Sequence, residues 1–311
     1  MSISKIKISI TKLILPVLFK IFVILQANSR VINYLNEKRQ KSNDIYNFEE
    51  NIKKLIGQKK LIALDVGSKG GFNSDIFFSK KYDKYFKAIL VDPANDNSAK
   101  DDQHYLKKGL WSSKEKRKLY ILGKRPGSSS MYEPNKNSLQ IYGYKKEDFH
   151  LFDVTNTEIV ECETINSSLN SLGLNNLDYL KIDTQGAELE ILKGLGEYKP
   201  LMIKSEVQIY PMYKNVPSWT ELLNYLNKLN YIICDWKVIG SHVTRAPVEM
   251  DMVFIPNYSN EEGKKIILER EKEFISIMLI SGQIKLLKKI ADILNLKYLE
   301  FYKEIKDRYF Y

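Results

Sequence analysis

Cysteine and histidine are scarce in this chain of 311 residues, with two and three copies. Cys162 and Cys234 form neither a redox pair nor a zinc-type pair, so reduced structural thiols are expected. His104, His150 and His242 are scattered, and no His, Asp and Glu set has a metal-ligand spacing. No metal is expected. The G-x-G-x-x-G fingerprint of dinucleotide binders is also missing, which counts against a nicotinamide enzyme. No internal repeat is convincing. The apolar run LILPVLFKIFVIL at residues 13–25 falls short of the roughly 20 residues that a membrane-spanning helix needs. Pro16 and Lys20 interrupt it, and the Gln26-Ala27-Asn28-Ser29-Arg30 that follows is a poor signal-peptidase site.

Charge is unevenly placed. Residues 1–60 hold twelve Lys and Arg against four Asp and Glu, whereas residues 61–260 balance at twenty-five of each. A neutral middle argues against a basic nucleic-acid groove across it, and no nucleic-acid partner is expected. The basic arm is suited to an anionic surface. Lys5, Lys12 and Lys20 recur at helical spacing and would share a face. An amphipathic helix within residues 1–27, lying in the membrane interface, fits this pattern. A helix packed on the domain or on a partner subunit fits it too.

Short apolar runs predict strands at 61–66, 88–92, 105–110, 178–183 and 201–206, several of them separated by helical patterns. Such alternation implies a parallel sheet with helices on both faces. Pro217-Ser218 opens a helix to about Leu229, and residues 231–235 and 251–255 read as a closing antiparallel pair. The expected class is α/β: a mostly parallel seven-stranded sheet in a domain over residues 58–258. A basic helical arm over 1–57 precedes it. A helical hairpin over 259–311, broken at Ser281-Gly282, follows. The turn-rich segment between Gly123 and Thr157 is too long for a bare connection and reads as a lid or binding loop.

Two strand-to-helix turns carry the chemistry. In LIALDVGSKGGFNS, Asp65 ends the strand, Gly67 allows a close bend, Gly70-Gly71 follow, and a helix is expected from about Asn73. The next strand ends in Asp92-Pro93, where a carboxylate can accept both protons of a ribose diol. Capping of a helix near Asp96 is the plainer role for that acid. In LKIDTQGAELEILKG, Asp183 ends a strand and Glu188 lies one turn into the next helix. Acidic turns of this kind line the ligand crevice of open α/β sheets.

These segments resemble the FkbM family of methyltransferases, a Rossmann-like, S-adenosylmethionine-dependent group. The likeness runs over about residues 58–256. It rests on Asp65-Val66-Gly67-Ser68-Lys69-Gly70-Gly71, on Asp92-Pro93, and above all on residues 181–188 with Leu192-Lys193-Gly194. Glu206-Val207-Gln208 with Tyr213, and Arg245 followed by Asp251, resemble later family segments. Asp92 stands where the family more often has Glu, and Asn166 where many members have Asp.

The resemblance implies S-adenosyl-L-methionine as methyl donor, with Asp65, Gly67, Gly70, Asp92 and Asp183 around it. It implies methyl ethers or esters on hydroxyls or carboxyls of small molecules and glycans, and a sugar hydroxyl in glycan or surface-polysaccharide biosynthesis is the expected acceptor. The basic arm, outside the resemblance, suits a cytoplasmic protein at the inner face of the membrane. Asp183 and Glu206 are the candidates for proton acceptor or acceptor orienter. Ser129, Tyr132, Glu188 and Tyr213 are candidates for acceptor binding, with helix N-terminal charge stabilisation the other role open to Glu188. An NAD-linked oxidoreductase and a catalytically silent, membrane-recruited module are the alternatives.

Overall fold

The computed structural model describes residues 47–93, 103–239 and 247–298. The amphipathic helix expected within residues 1–27, Arg245, Asp96 and the end of the C-terminal hairpin lie outside the described residues.

Among the described residues, ten strands form two sheets. The main sheet contains β1 (Leu61–Val66), β2 (Phe86–Val91), β3 (Gln103–Leu106), β7 (Tyr179–Ile182), β8 (Met202–Gln208), β9 (Tyr231–Ile239) and β10 (Glu249–Pro256). Its order is β3-β2-β1-β7-β8-β10-β9. The pairs β1–β2, β2–β3, β1–β7 and β7–β8 are parallel, and β10 runs antiparallel to both β8 and β9. This is the expected seven-stranded, mostly parallel arrangement. β1 is buried along its whole length and β7 likewise, which is why both read as continuous apolar runs. Chain order reverses at β1, which pairs with β2 on one side and β7 on the other. The crevice of an open α/β sheet lies at such a switch point, beyond the carboxyl ends of the strands.

The run expected as one strand at 105–110 is split. β3 ends at Leu106, and β4 (Gly109–Leu110) joins a second sheet of order β4-β6-β5, with β5 at Glu115–Leu122 and β6 at Val154–Glu163. The segment read as a lid is therefore the excursion between two paired strands. It folds on itself: Leu122, Leu139, Tyr142 and Phe152 form a small apolar cluster with Met212, Tyr213 and Val248.

The helix expected from about Asn73 does not form. Asn73 and Ile76 both have φ of +51°, outside the helical region. The Asn73 amide instead donates to the Phe78 carbonyl and to Asp83 Oδ1, both at 2.9 Å, and accepts from the Phe77 N–H at 2.9 Å. The helix at Trp219–Lys228 starts as expected, with Ser218 and Glu221 forming a reciprocal capping box.

After β10 the described residues hold three helices, Glu261–Glu269, Glu271–Ile280 and Ile284–Leu294, rather than a hairpin of two. The break at Ser281-Gly282 is present, with Gly282 at φ +74°. The middle helix is apolar on nearly every side and buried accordingly. It completes one core with Phe48, with Ile52 and Leu55 of the helix that follows it (Glu49–Ile56), and with the β1–β2 face. Arg270 fastens these helices to the amino ends of the strands. Its Nη1 donates to the Leu177 carbonyl at 2.8 Å, beside buried Asp178, which in turn accepts from the Ile62 N–H at 2.7 Å.

Candidate active site

Two cavities open at the carboxyl ends of the parallel strands. The first, of about 460 Å³, lies over the switch point. Val66 at the end of β1 with Gly67, Val91 at the end of β2 with Asp92, and Asp183 after β7 line its floor. Leu119, Ile121, Ser129 and Glu158 of the second sheet and its loop line the opposite side. The volume falls within the range of roughly 300–1,000 Å³ that small-molecule sites occupy. Gly67 is required by the close approach of two strand ends. At φ +79°, a Cβ there would lie 1.9 Å from the Asp183 carbonyl oxygen.

The second cavity, of about 410 Å³, is lined by Arg125, Tyr142, Tyr144, Gln185, Glu206 and Glu249, among others. Gln185 lines both cavities. It has φ of +60°, rare for a residue with a side chain, and is held on every side. Its Nε2 donates to Glu206 Oε1 at 2.7 Å and lies 3.3 Å from Asp183 Oδ1. Its Oε1 lies 3.1 Å from the Tyr213 hydroxyl, and its carbonyl accepts from Ser130 Oγ at 2.7 Å. The amide thus bridges Asp183, which faces the first cavity, to Glu206, which faces the second.

Electrostatics distinguish these acids. Burial, together with the charges of Asp183 and Glu249, pushes the Glu206 carboxyl well above the usual carboxylate range. Burial, and then Asp183, pushes Glu249 up to about 7. Asp65 sits beneath the site rather than in it: it is buried, its Oδ1 is 3.1 Å from Lys181 Nζ, and it lines neither cavity. Burial works against the Lys181 charge, but Asp65 and Asp183 outweigh it and keep the ammonium protonated.

Four other expected positions lie away from the cavities. Gly70 lines neither one, and a Cβ there would meet Ser74. Glu188 is buried and turned onto its own helix entrance, its Oε1 accepting from the N–H groups of Thr184 and Gly186 at 2.9 and 3.1 Å. That geometry is the helix N-terminal role. Tyr213 is buried behind Gln185, its hydroxyl donating to the Ser128 carbonyl at 2.7 Å. Tyr132 packs on Trp111, with ring centroids 5.8 Å apart, and lines neither cavity. Ser129 does line the first cavity, although its Oγ accepts from the Leu122 N–H at 3.1 Å.

Sequence reasoning missed Gln185, Arg125, Tyr142, Tyr144 and Glu249. Gln185 lies inside the acidic-turn motif, so its position was a signal. Glu249 and Asp251 have the period-two spacing of one strand face, which was a second. Among the described residues no group of His, Cys, Asp and Glu is placed to hold a metal ion, and no helix is long and apolar enough to cross a membrane.

A family model of the methyltransferase FkbM domain matches residues 26–233, two thirds of the sequence. The chain belongs to the FkbM methyltransferase family. It is a methyltransferase with a Rossmann-like sheet, and the oxidoreductase alternative falls away. No curated protein matches this FkbM chain. The solved structure of the 16S rRNA methylase ArmA aligns with 75% of it and with 89% of its own chain, at 12% identity and a TM-score of 0.28.

Proposed function

We propose that this protein transfers a methyl group from S-adenosylmethionine to a sugar hydroxyl, with the donor in the first cavity and the acceptor reaching it from the second. The observation that carries this reading is the meeting of two cavities at one residue, Gln185, with Asp183 on one side and Glu206 on the other. The first cavity suits the donor. It has the volume, it lies at the switch point, and Asp92 at the end of β2 stands where a ribose diol can donate to a carboxylate.

Bound there, the donor supplies an activated methyl group. The chain must hold an oxygen nucleophile in line and take up its proton. Asp183 and Glu206 are the acids for that task, and the Gln185 amide fixes the distance between them. The basic stretch at residues 1–27 would keep such an enzyme against an anionic membrane, where glycan precursors are assembled.

Calorimetry with S-adenosylhomocysteine tests the reading. The full chain should bind it, and Asp92→Ala should weaken binding by roughly 1–3 kcal/mol through lost hydrogen bonds. A folded chain that binds none would leave a silent module. A screen of sugar nucleotides and glycans with labelled donor then tests the acceptor; label appearing only on protein or nucleic acid would overturn the sugar.

A further inference from the structure

The second cavity has a wall built from one face of two antiparallel strands. Glu206 and Gln208 of β8 stand opposite Asp251 and Glu249 of β10, so all four side chains emerge on the same side of the sheet. Three of the four are engaged. Asp251 pairs with Lys204 at 3.0 Å, Gln208 accepts from the Met212 N–H at 3.0 Å, and Glu206 accepts from Gln185. Glu249 lines the cavity and has no hydrogen bond or ion pair among the described residues.

Across the space, Arg125 is stacked over the rings of Phe152 and Tyr144, 4.6 and 5.2 Å from their centroids, and also donates to the Tyr144 hydroxyl. One braced cation therefore faces two carboxyl groups, Glu206 and Glu249. An ionised carboxylate only accepts hydrogen bonds, so its complement is a group rich in donors. The tyrosine rings offer the apolar surface that the carbon face of a sugar ring needs. A carboxylate or phosphate on the inserted group would instead bring a second negative charge beside Glu249, which is ionised at pH 8.

We propose that the second cavity is the acceptor subsite, and that Glu249 together with Glu206 makes it select an uncharged, hydroxyl-bearing ring over an anionic one. This rests on the methyltransferase reading above for the cavity's role, and on the cavity's own lining for its selectivity. Glu249 acts as the specificity residue, and Glu206 is held for its part by Gln185.

The test is saturation-transfer NMR and calorimetry on the full chain, with and without S-adenosylhomocysteine. The probes are the methyl glycosides of glucose, galactose, mannose and rhamnose, with the matching uronates and 6-phosphates at pH 8. At least one neutral glycoside should bind, and its uronate or 6-phosphate should bind at least about 10-fold more weakly. Glu249→Gln should shrink that discrimination to under about 3-fold. It should leave S-adenosylhomocysteine affinity within about 2-fold, since Glu249 does not line the first cavity. An anionic sugar that binds as tightly as its neutral partner overturns the proposal, as does a panel in which no neutral glycoside binds. Selective glycoside binding by a chain that ignores S-adenosylhomocysteine would uphold the subsite's selectivity and sink the donor assignment, so the two readings fail separately.

Discussion

Lys181 Nζ lies 3.9 Å from Asp183 Oδ2, and two further contacts fix the residue. Its backbone N–H donates to the Val66 carbonyl at 3.0 Å, and its Oδ1 lies 3.3 Å from the Gln185 amide. Asn retains that oxygen and nearly the same shape, so Asp183→Asn should fold normally and lose only the charge. Methyl transfer should fall by at least about 100-fold, the lower end for loss of a positioned acid–base group. Full turnover by the folded variant would remove Asp183 from the chemistry. The glutamate pair adds a pH signature. Glu249 is faced by Glu206, Asp183, Glu188, Asp251 and Arg125, and burial with the acidic neighbours raises it to about 7. The folded state then holds this proton more tightly than the unfolded state. The resulting stabilisation is fully present below about pH 4.5 and is lost as pH rises through about 7. Glu249→Gln, which cannot ionise, should therefore raise the melting temperature at pH 8 and leave it nearly unchanged at pH 4.5. Equal shifts at both pH values in thermal denaturation would refute the buried acid. Of these residues, the sequence pointed to Asp183, which follows the apolar β7, and to Glu206, which lies within β8, as candidates. Arg125 was not legible, because a cavity wall joins segments more than a hundred residues apart and no local pattern records that; Glu249 left only its strand-face spacing with Asp251 as a signal.

Elements were legible in proportion to their burial. β1, β2 and β7 are apolar runs, β8 follows Leu201 and opens on the apolar Met202-Ile203, and the Ser218 capping box announced its helix. β5 and β6 escaped notice because the second sheet is largely exposed, and EKRKLYIL and VTNTEIVECE carry too many polar residues to read as core. The turn after β1 misled for a different reason. Its glycines suit a helix entrance, but Asn73 captures the chain in a left-handed bend with its own side-chain hydrogen bonds. Asn73 is buried, so Asn73→Ala strands several polar partners at once. It should lower stability by about 2–3 kcal/mol, read as a lower denaturant midpoint at unchanged slope. The same bend carries Asp75 to Lys204 at 2.6 Å, so the loop is tied into the sheet below the active site. A change under about 0.5 kcal/mol would mean that the bend is held by something other than Asn73.

At the scale of the whole molecule, the helices after β10 belong to the main core. Phe274, Ile275, Met278, Leu287 and Ile290 are each wholly buried there. At roughly 1.5–3 kcal/mol for each such side chain, their sum rivals the entire 5–15 kcal/mol stability of an ordinary domain. A chain ending at residue 258 should therefore fail to fold, even though it contains every cavity residue. A soluble truncated protein with a cooperative thermal transition would show that the sheet stands without these helices. The fold thus has a mechanical end, where Arg270 clasps the amino ends of the strands, and a chemical end at their carboxyl tips. Six-residue strands separate the two by about 20 Å. The exposed turn at Gly57 and Gln58 lies at the mechanical end. Cys162 is buried, and burial pushes the Cys234 thiol up to about 12, so neither native thiol competes well for an alkylating reagent. A cysteine introduced by Gln58→Cys would give this enzyme a single-point handle, able to hold it on a sensor surface with both cavities turned toward the flowing solution.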